Sequence, residues 1–151
     1  MEREWTVYLS GEIHSDWRQQ IESGIRDAGL PVVLNGPVTD HEASDSCGVR
    51  ILGPEDKPFW VDHKGAKINA IRTRSLIGEA DIVVVRFGDR YRQWNAAFDA
   101  GLAAALEIPL ITLHDEGLVH ALKEVNAAAL ASCRQPAEVV AILRYVIRGE
   151  V

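Results

Sequence analysis

The chain has 151 residues, 47% of them hydrophobic and 25% charged, which is ordinary for a soluble globular protein. A domain of this size buries about 70% of its unfolded surface, so we expect a single domain over residues 1–151. The formal net charge of −6 argues against general nucleic-acid binding, because phosphate contacts need a basic surface, but it allows a small anion held by a few arginines.

The two cysteines and the N-terminal segment indicate in which cellular compartment the protein is expected. Cys47 and Cys133 form no CxxC motif, which is typical of two unpaired thiols in a reduced, intracellular protein. The opening segment MEREWTVYLSGE has neither the basic start nor the apolar stretch of a signal peptide. No apolar run approaches the roughly 18 residues of a membrane helix. We therefore expect a cytoplasmic protein without a membrane partner.

The first part of the chain predicts a strand, a helix and a strand. Residues 5–9 form a β-branched and aromatic run that ends at a glycine-containing loop. Residues 15–29 have helical spacing, with Ser15 as the N-cap and Gly29 as the end. Residues 31–36 predict the second strand.

The hydrophobic periodicity is lost between residues 36 and 63. Besides many acidic residues, this segment contains several residues that disfavour regular structure: Pro37, Pro54, Pro58, Gly48 and Gly53. We predict a long irregular connection, and such connections in compact domains are usually functional or mobile. Helical spacing returns over residues 64–78, where Arg72 and Arg74 are expected to face mostly outward.

The second half of the chain alternates strands and helices. Within residues 80–87, the run from Ile82 to Val85 is typical of a parallel strand buried on both faces. There follow an alanine-rich helix, a strand at 109–114, a helix over 116–126, a weak strand at 129–133 and a helix from Pro136. Five strands alternating with helices predict an α/β three-layer sandwich around a five-stranded parallel sheet, of flavodoxin or Rossmann type.

A ligand crevice is expected beyond the carboxyl ends of the first and third strands. In the commonest five-stranded order these strands are neighbours where the strand order reverses, and ligands bind there. Ser10 and Gly11 end the first strand and can present N–H groups to an oxygen-rich ligand, although an ordinary tight turn explains the pair equally well. Neither GxxxxGK[ST] nor GxGxxG is present, so Walker-type and dinucleotide binding lose their main support.

Polar residues cluster after the third strand. Asn95 and Asp99 interrupt the alanine-rich helix four residues apart, and therefore share one helix face. Arg86, Arg90 and Arg92 surround the exit of the strand. Solvated charges are the default interpretation, but in an acidic protein this local positive patch favours an anion such as a phosphate.

Three segments carry a likeness to a known family. They are VYLSGEIHSDW (7–17), EADIVVVRFGD (79–89) and WNAAFDAGLAAALEIPLIT (94–112). Together they resemble the nucleoside 2-deoxyribosyltransferase superfamily, and within it the YtoQ-like branch. The likeness spans most of the chain and implies one nucleoside 2-deoxyribosyltransferase-like domain.

The resemblance implies roles for individual residues. Asp99, followed by Gly101 and Ala104, matches the acidic position of the family nucleophile, and Tyr8 matches the tyrosine that orients it. The family acid is usually a glutamate, which is one methylene longer. Arg86 stands where many transferases have an acidic sugar-binding residue, which suggests either a phosphorylated substrate or a lost transferase activity.

The implied activity is cleavage or transfer of the N-glycosidic bond of a nucleoside or nucleotide by a carboxylate nucleophile. Asp99, Tyr8 and Asn95 are the expected catalytic residues. The expected substrate-binding residues are Ser10, Gly11, His14, Arg86 and Trp94. His14 would donate a proton or bind a phosphate, and Trp94, Phe59 or Trp60 would cover the base. The alternative is a non-catalytic nucleotide-sensing module on the same fold.

Partners follow from the same pattern. The histidines show no metal-ligand spacing, so neither a metal nor another cofactor is expected. Because relatives commonly assemble with their sites near subunit contacts, the resemblance implies a homo-oligomer, a dimer or higher. The alanine-rich face of residues 96–105 could pack either on the sheet or on a neighbouring subunit.

Overall fold

The computed structural model describes residues 1–151 as a parallel sheet covered by helices on both faces. The elements are β1 (Trp5–Gly11), α1 (Trp17–Asp27), β2 (Val32–Asn35), α2 (His41–Leu52), α3 (Pro58–Gly78), β3 (Ile82–Phe87), α4 (Trp94–Ala105), β4 (Leu110–His114), α5 (Lys123–Ala128), β5 (Ala131–Cys133) and α6 (Pro136–Arg148). The strand order is β2-β1-β3-β4-β5, and every pair is parallel. The predicted α/β sandwich is confirmed, with β1 and β3 adjacent where the order reverses.

Two apolar clusters lie on opposite faces of the sheet. Successive side chains of a strand point to opposite faces, so Val7 and Leu9 join the cluster beneath α1 and α6. Tyr8 joins the cluster beneath α4, together with Val83 and Val85 of β3. By the same alternation, Ser10 projects towards α4, which places the polar end of β1 on the α4 face.

The alanine-rich face of α4 packs on the sheet of its own chain. Ala96, Ala100 and Ala103 are at most 3% exposed and belong to the same cluster as Val83 and Val85. Small side chains let a helix axis approach the sheet closely. Residues at the edge of this face are therefore held near the end of β1.

The prediction of an irregular connection over residues 36–63 was wrong. The helix α2 occupies most of it, and α3 begins at Pro58, before the predicted start at 64. Asp40 caps α2 by accepting a hydrogen bond from the Ala43 N–H at 2.9 Å, and Pro58 suits the first turn of a helix. Gly48 is the only buried residue of α2, so the helix lacks the apolar stripe that periodicity detects.

Glycines bring α2 and α3 together. A Cβ atom added to Gly48 would lie 2.5 Å from the backbone nitrogen of Gly65, so only glycine allows this approach. Cys47 lies at the same contact, with its Sγ atom 3.8 Å from the Gly65 carbonyl oxygen. The two helices form a hairpin that packs through its backbones.

Other boundaries differ slightly from those predicted. The helix α1 begins at Trp17 after Asp16, while Ser15, the predicted cap, donates its hydroxyl to Glu12. The helix predicted over 116–126 is a 3-10 turn followed by the short α5. None of the helices combines the length and the apolar character needed to cross a membrane.

Candidate functional site

A cavity of about 770 Å³ lies beyond the carboxyl ends of β1 and β3. Its walls come from the loop after β1, from α2 and α3, and from the first turns of α4. This is the position at which the sequence predicted a ligand crevice. Of the predicted site residues, Gly11, His14, Trp94, Asn95 and Asp99 line it.

Asp99 is held at the cavity wall by the end of β1. The Ser10 hydroxyl donates a hydrogen bond to Asp99 Oδ2 at 2.6 Å, and Ser10 itself is fully buried. Burial raises the pKa of the Asp99 carboxyl, and the Ser10 hydrogen bond partly opposes this increase. No hydrogen bond within the chain engages Oδ1, so that oxygen is available to a ligand.

Tyr8 lies beneath this pair and is 1% exposed. Burial raises the pKa of its hydroxyl; a hydrogen bond with the Thr73 side chain lowers it and the charge of Asp99 raises it again. Tyr8 is therefore within the electrostatic reach of Asp99. The hydrogen bond that orients the carboxylate nevertheless comes from Ser10.

Glu12 organises the loop after β1, a role that the sequence reading missed. Its side chain is 7% exposed and accepts hydrogen bonds from the backbone N–H groups of His14 and Ser15 and from the Ser15 hydroxyl. Burial alone would raise the pKa of Glu12, but these hydrogen bonds, with the charge of Arg86, lower it overall. An acid directly after the strand-end glycine was the available signal.

Gly11 and Arg18 hold the end of β1 in place. Gly11 has φ +110°, and a Cβ atom there would lie 2.1 Å from the Arg86 carbonyl oxygen, so no other residue fits. Arg18 donates to the carbonyl oxygens of Leu9, Gly11 and Glu12. Burial lowers the pKa of Arg18 to about 10, so the guanidinium remains charged at neutral pH.

Of the three arginines at and after the end of β3, the structure brings only one to the cavity. Arg86 lies on the opposite face of the sheet from Asp99, with its Nε atom 3.8 Å from Glu12 Oε2 and no hydrogen-bond partner. Neither Arg86 nor Arg90 lines the cavity, whereas Arg92 does. Arg92 also lies over the Trp94 ring, at 5.7 Å from its centroid.

Exposed aromatic rings form one rim of the cavity. Trp94 and Phe98 are 70% and 65% exposed, and they lie one turn apart on α4 beside Asp99. Tyr91 lies 4.7 Å from the ring of His14, between ring centroids. Phe59 and Trp60, the other two rings considered from the sequence, lie on the first turn of α3 outside the cavity.

The α3 wall was also missed from the sequence. Asn69, Arg72, Thr73 and Arg74 line the cavity. The two arginines are exposed, as expected, but on the side of α3 that faces the cavity. Their position depends on the α2–α3 hairpin, which the periodicity did not reveal. No group of three or more histidine, cysteine, aspartate or glutamate side chains is placed to hold a metal ion.

Comparison with known proteins places this chain in a family. The profile of the family described as nucleoside 2-deoxyribosyltransferase YtoQ matches residues 8–147. The chain is 38% identical over 147 residues to the uncharacterized protein YtoQ of Bacillus subtilis (strain 168), and the match covers 97% of this chain and 99% of that one.

Solved structures share the fold at low sequence identity. A 2-deoxyribosyltransferase from Bacillus psychrosaccharolyticus superposes with a TM-score of 0.58 at 19% identity, covering 91% of this chain and 95% of that one. A molybdenum cofactor binding protein from Rippkaea orientalis superposes with a TM-score of 0.57 at 14% identity, covering 97% and 99%. These similarities concern the fold alone. Since the family profile and the identity to YtoQ both extend over nearly the whole chain, the chain belongs to the YtoQ nucleoside 2-deoxyribosyltransferase family.

Proposed function

We propose that the cavity cleaves or transfers the N-glycosidic bond of a nucleoside or nucleotide, with Asp99 as the nucleophile. Membership of the family supports glycosyl transfer in this broad sense. The observation that carries the finer proposal is the 2.6 Å hydrogen bond from Ser10 to Asp99, which holds a partly buried carboxylate at the cavity wall with one oxygen free.

The reaction proceeds in two displacements. An oxygen of Asp99 attacks the anomeric carbon and forms a glycosyl ester, while the C–N bond breaks and its electron pair leaves with the base nitrogen, which takes up a proton. Water or the nitrogen of a second base then attacks the same carbon. The ester bond breaks, the Asp99 carboxylate is regenerated and the attacking group releases its proton.

The neighbouring groups have distinct tasks in this proposal. Ser10 orients the carboxylate, and the buried hydroxyl of Tyr8 contributes a polar group close to it. Asn95, one turn before Asp99, binds a sugar hydroxyl. His14 supplies the proton to the leaving base, and Trp94 with Phe98 covers the base plane.

The length of Asp99 fits its position. Aspartate is one methylene shorter than the glutamate usual at this position. The buried alanine face of α4, formed by Ala96, Ala100 and Ala103, holds the helix close to β3 and so brings its edge towards the end of β1. We infer that this close packing of α4 on the sheet offsets the shorter side chain of Asp99.

The test is base release from a panel of nucleosides and deoxynucleoside monophosphates, followed by chromatography. We expect Asp99→Asn, which keeps the shape and can still accept from Ser10, to lower kcat by roughly 10³-fold or more. Asp89→Asn, in an exposed acid outside the cavity, is the matched control and should retain activity. Equal activity in the two variants would contradict the assignment.

The same panel distinguishes a non-catalytic binding module. The fold also serves a molybdenum cofactor binding protein, so the fold alone does not specify a reaction. Tight binding of a nucleotide by calorimetry, without base release from any member of the panel, would favour the binding module over the enzyme.

A further inference from the structure

The cavity collects arginines that have no acidic partner. Arg72 and Arg74 of α3 and Arg92, which precedes α4, all line it. The ion pairs of the chain use other cationic residues: Arg3, His41, Lys64, Arg86, Arg144 and Arg148. Most lysines and arginines of this chain form no ion pair, so what distinguishes these three is that they line one cavity. Three unpaired guanidinium groups around one cavity therefore indicate a ligand that supplies the negative charge.

The acids that line the same cavity do not neutralise these arginines. Asp45 pairs with a histidine of its own helix at 3.1 Å. Glu12 is bound by donors of its own loop, and Asp99 by the serine that ends β1. Asp62 is the remaining acid in the lining, and it is exposed and forms no ion pair. The positive groups thus remain available to a ligand.

Two of the arginines are already oriented. Arg72 donates one hydrogen bond from Nη2 to the Gly36 carbonyl oxygen at 3.2 Å, and the guanidinium of Arg92 rests over the Trp94 ring. Each contact restricts the side chain and leaves further N–H donors free. Partly anchored guanidinium groups suit a phosphate monoester, whose oxygens accept paired hydrogen bonds from arginine.

The arginines and the carboxylate face a common space. Arg72 and Asp99 act on the hydroxyl of Tyr8 with opposite sign, which places both charges within reach of one buried group. A nucleoside 5′-monophosphate carries its phosphate one sugar ring away from the anomeric carbon. Its phosphate therefore matches the arginines of the cavity, while its anomeric carbon matches the proposed nucleophile, Asp99.

We propose that the ligand is a nucleoside 5′-monophosphate, whose phosphate is bound by Arg72 and Arg92 while its sugar lies against Asp99. This inference rests on the proposed function, since Asp99 sets the position of the sugar. Arg74 adds to the positive potential of the α3 wall. Arg86, the arginine favoured from the sequence, takes no part because it lies on the other face of the sheet.

The test compares each 2′-deoxynucleoside with its 5′-monophosphate and its 3′-monophosphate on the full chain. We expect kcat/KM for base release to be about tenfold or more higher for the 5′-monophosphate, the size of one charge-assisted hydrogen bond. Arg72→Gln and Arg92→Gln should each remove most of that preference, measured as the ratio of kcat/KM between the 5′-monophosphate and its nucleoside. Lys67→Gln, which removes a charge from α3 outside the cavity, should keep the preference.

Calorimetry with Asp99→Asn separates this inference from the proposed reaction. Phosphate-dependent binding that Arg72→Gln abolishes, without base release by the unsubstituted chain, would leave the inference standing and overturn the reaction. Equal base release from nucleosides and 5′-monophosphates would overturn the inference and leave the reaction standing. Equal use of 3′- and 5′-monophosphates, or no binding of either, would also overturn it. Thermal unfolding of each variant verifies its fold, and Arg92→Gln serves if Arg72→Gln does not fold.

Discussion

At the scale of single residues, Asp99 is subject to two opposing influences. Partial burial favours its neutral form, whereas the Ser10 hydroxyl favours the carboxylate and fixes its direction. A nucleophile must be ionised, yet a strongly solvated carboxylate reacts slowly. One hydrogen bond to one oxygen, with the other oxygen left free, is a compromise between these requirements.

Ser10→Ala tests this balance through the pH dependence. The hydrogen bond lowers the pKa of Asp99, so its loss raises that pKa further, and a higher pH is needed to ionise the proposed nucleophile. We expect the acidic limb of kcat/KM to move to higher pH and the plateau to fall by about tenfold, since one hydrogen bond to a charged group is lost. Ser75→Ala, whose hydroxyl bonds only its own helix, is the control. If the acidic limb of the kcat/KM profile stayed at the same pH in Ser10→Ala, the role given to Ser10 would be contradicted.

Glu12→Gln tests the loop after β1. The pKa of Glu12 is lowered in the folded chain, so its contribution to stability is present above the unfolded pKa and is lost as the pH falls through the folded value. We expect the substitution to lower the free energy of unfolding by about 1–3 kcal/mol at pH 7. Denaturant unfolding across pH should show the difference shrinking towards low pH. A constant difference would show that packing, not charge, is responsible.

The arginines illustrate what sequence reasoning could and could not place. Proximity to the end of β3 favoured Arg86, but the two-residue alternation of a strand, which also governs Val85 and Phe87, directs Arg86 to the other face. That information was present in the sequence. The positions of Arg72 and Arg74 were not, because they depend on how α3 leans against α2 across a contact distant in sequence.

At the scale of elements, the sheet was predictable and the α2–α3 hairpin was not. Strand β3 is a continuous apolar run, and parallel strands are recognised by such runs. In α2, by contrast, the one buried residue is Gly48, so the helix contacts its neighbour without an apolar stripe. Because glycine has no side chain, Gly48 is what allows the contact. Capping by Asp40 was the local signal for this helix.

Gly48→Ala tests the hairpin contact. The new methyl group would meet the backbone of Gly65 at 2.5 Å, which forces the helices apart and should lower stability by about 1–3 kcal/mol. The cavity wall on α3 should shift with them and weaken ligand binding. Gly101→Ala is the control, because nothing lies within 4 Å of a Cβ there, and alanine should raise stability by about 0.5–1 kcal/mol. Equal changes in the melting temperature of Gly48→Ala and Gly101→Ala would contradict the close contact between Gly48 and Gly65.

At the scale of the whole molecule, the single domain and the homo-oligomer stay predictions. The alanines of α4 pack on the sheet of their own chain, so they are not available to a neighbour. The outer side of the same helix exposes Trp94 and Phe98, at 70% and 65%, and Leu106 directly after the helix is 50% exposed. A second copy seated there would cover these rings and close the cavity rim.

Light scattering on the purified chain measures the assembly. We expect at least a dimer, and Phe98→Glu should shift it towards the monomer because a charge would be buried in the contact. Ile71→Glu, at an exposed apolar position on α3 outside the cavity, should leave the assembly unchanged. A monomer at all concentrations of the unsubstituted chain would remove the expectation.

The backbone contact between Gly48 and Gly65 affects how the sequence of this protein can change during evolution. The proposed nucleophile and its serine belong to α4 and the sheet, whereas Arg72 and Arg74 belong to a helical unit, the α2–α3 hairpin, whose two helices meet at those glycines. Changes of sequence within that unit can alter which molecules are accepted without disturbing the bond-breaking pair. Ligand preference and chemistry can thus vary independently among descendants of the same ancestor.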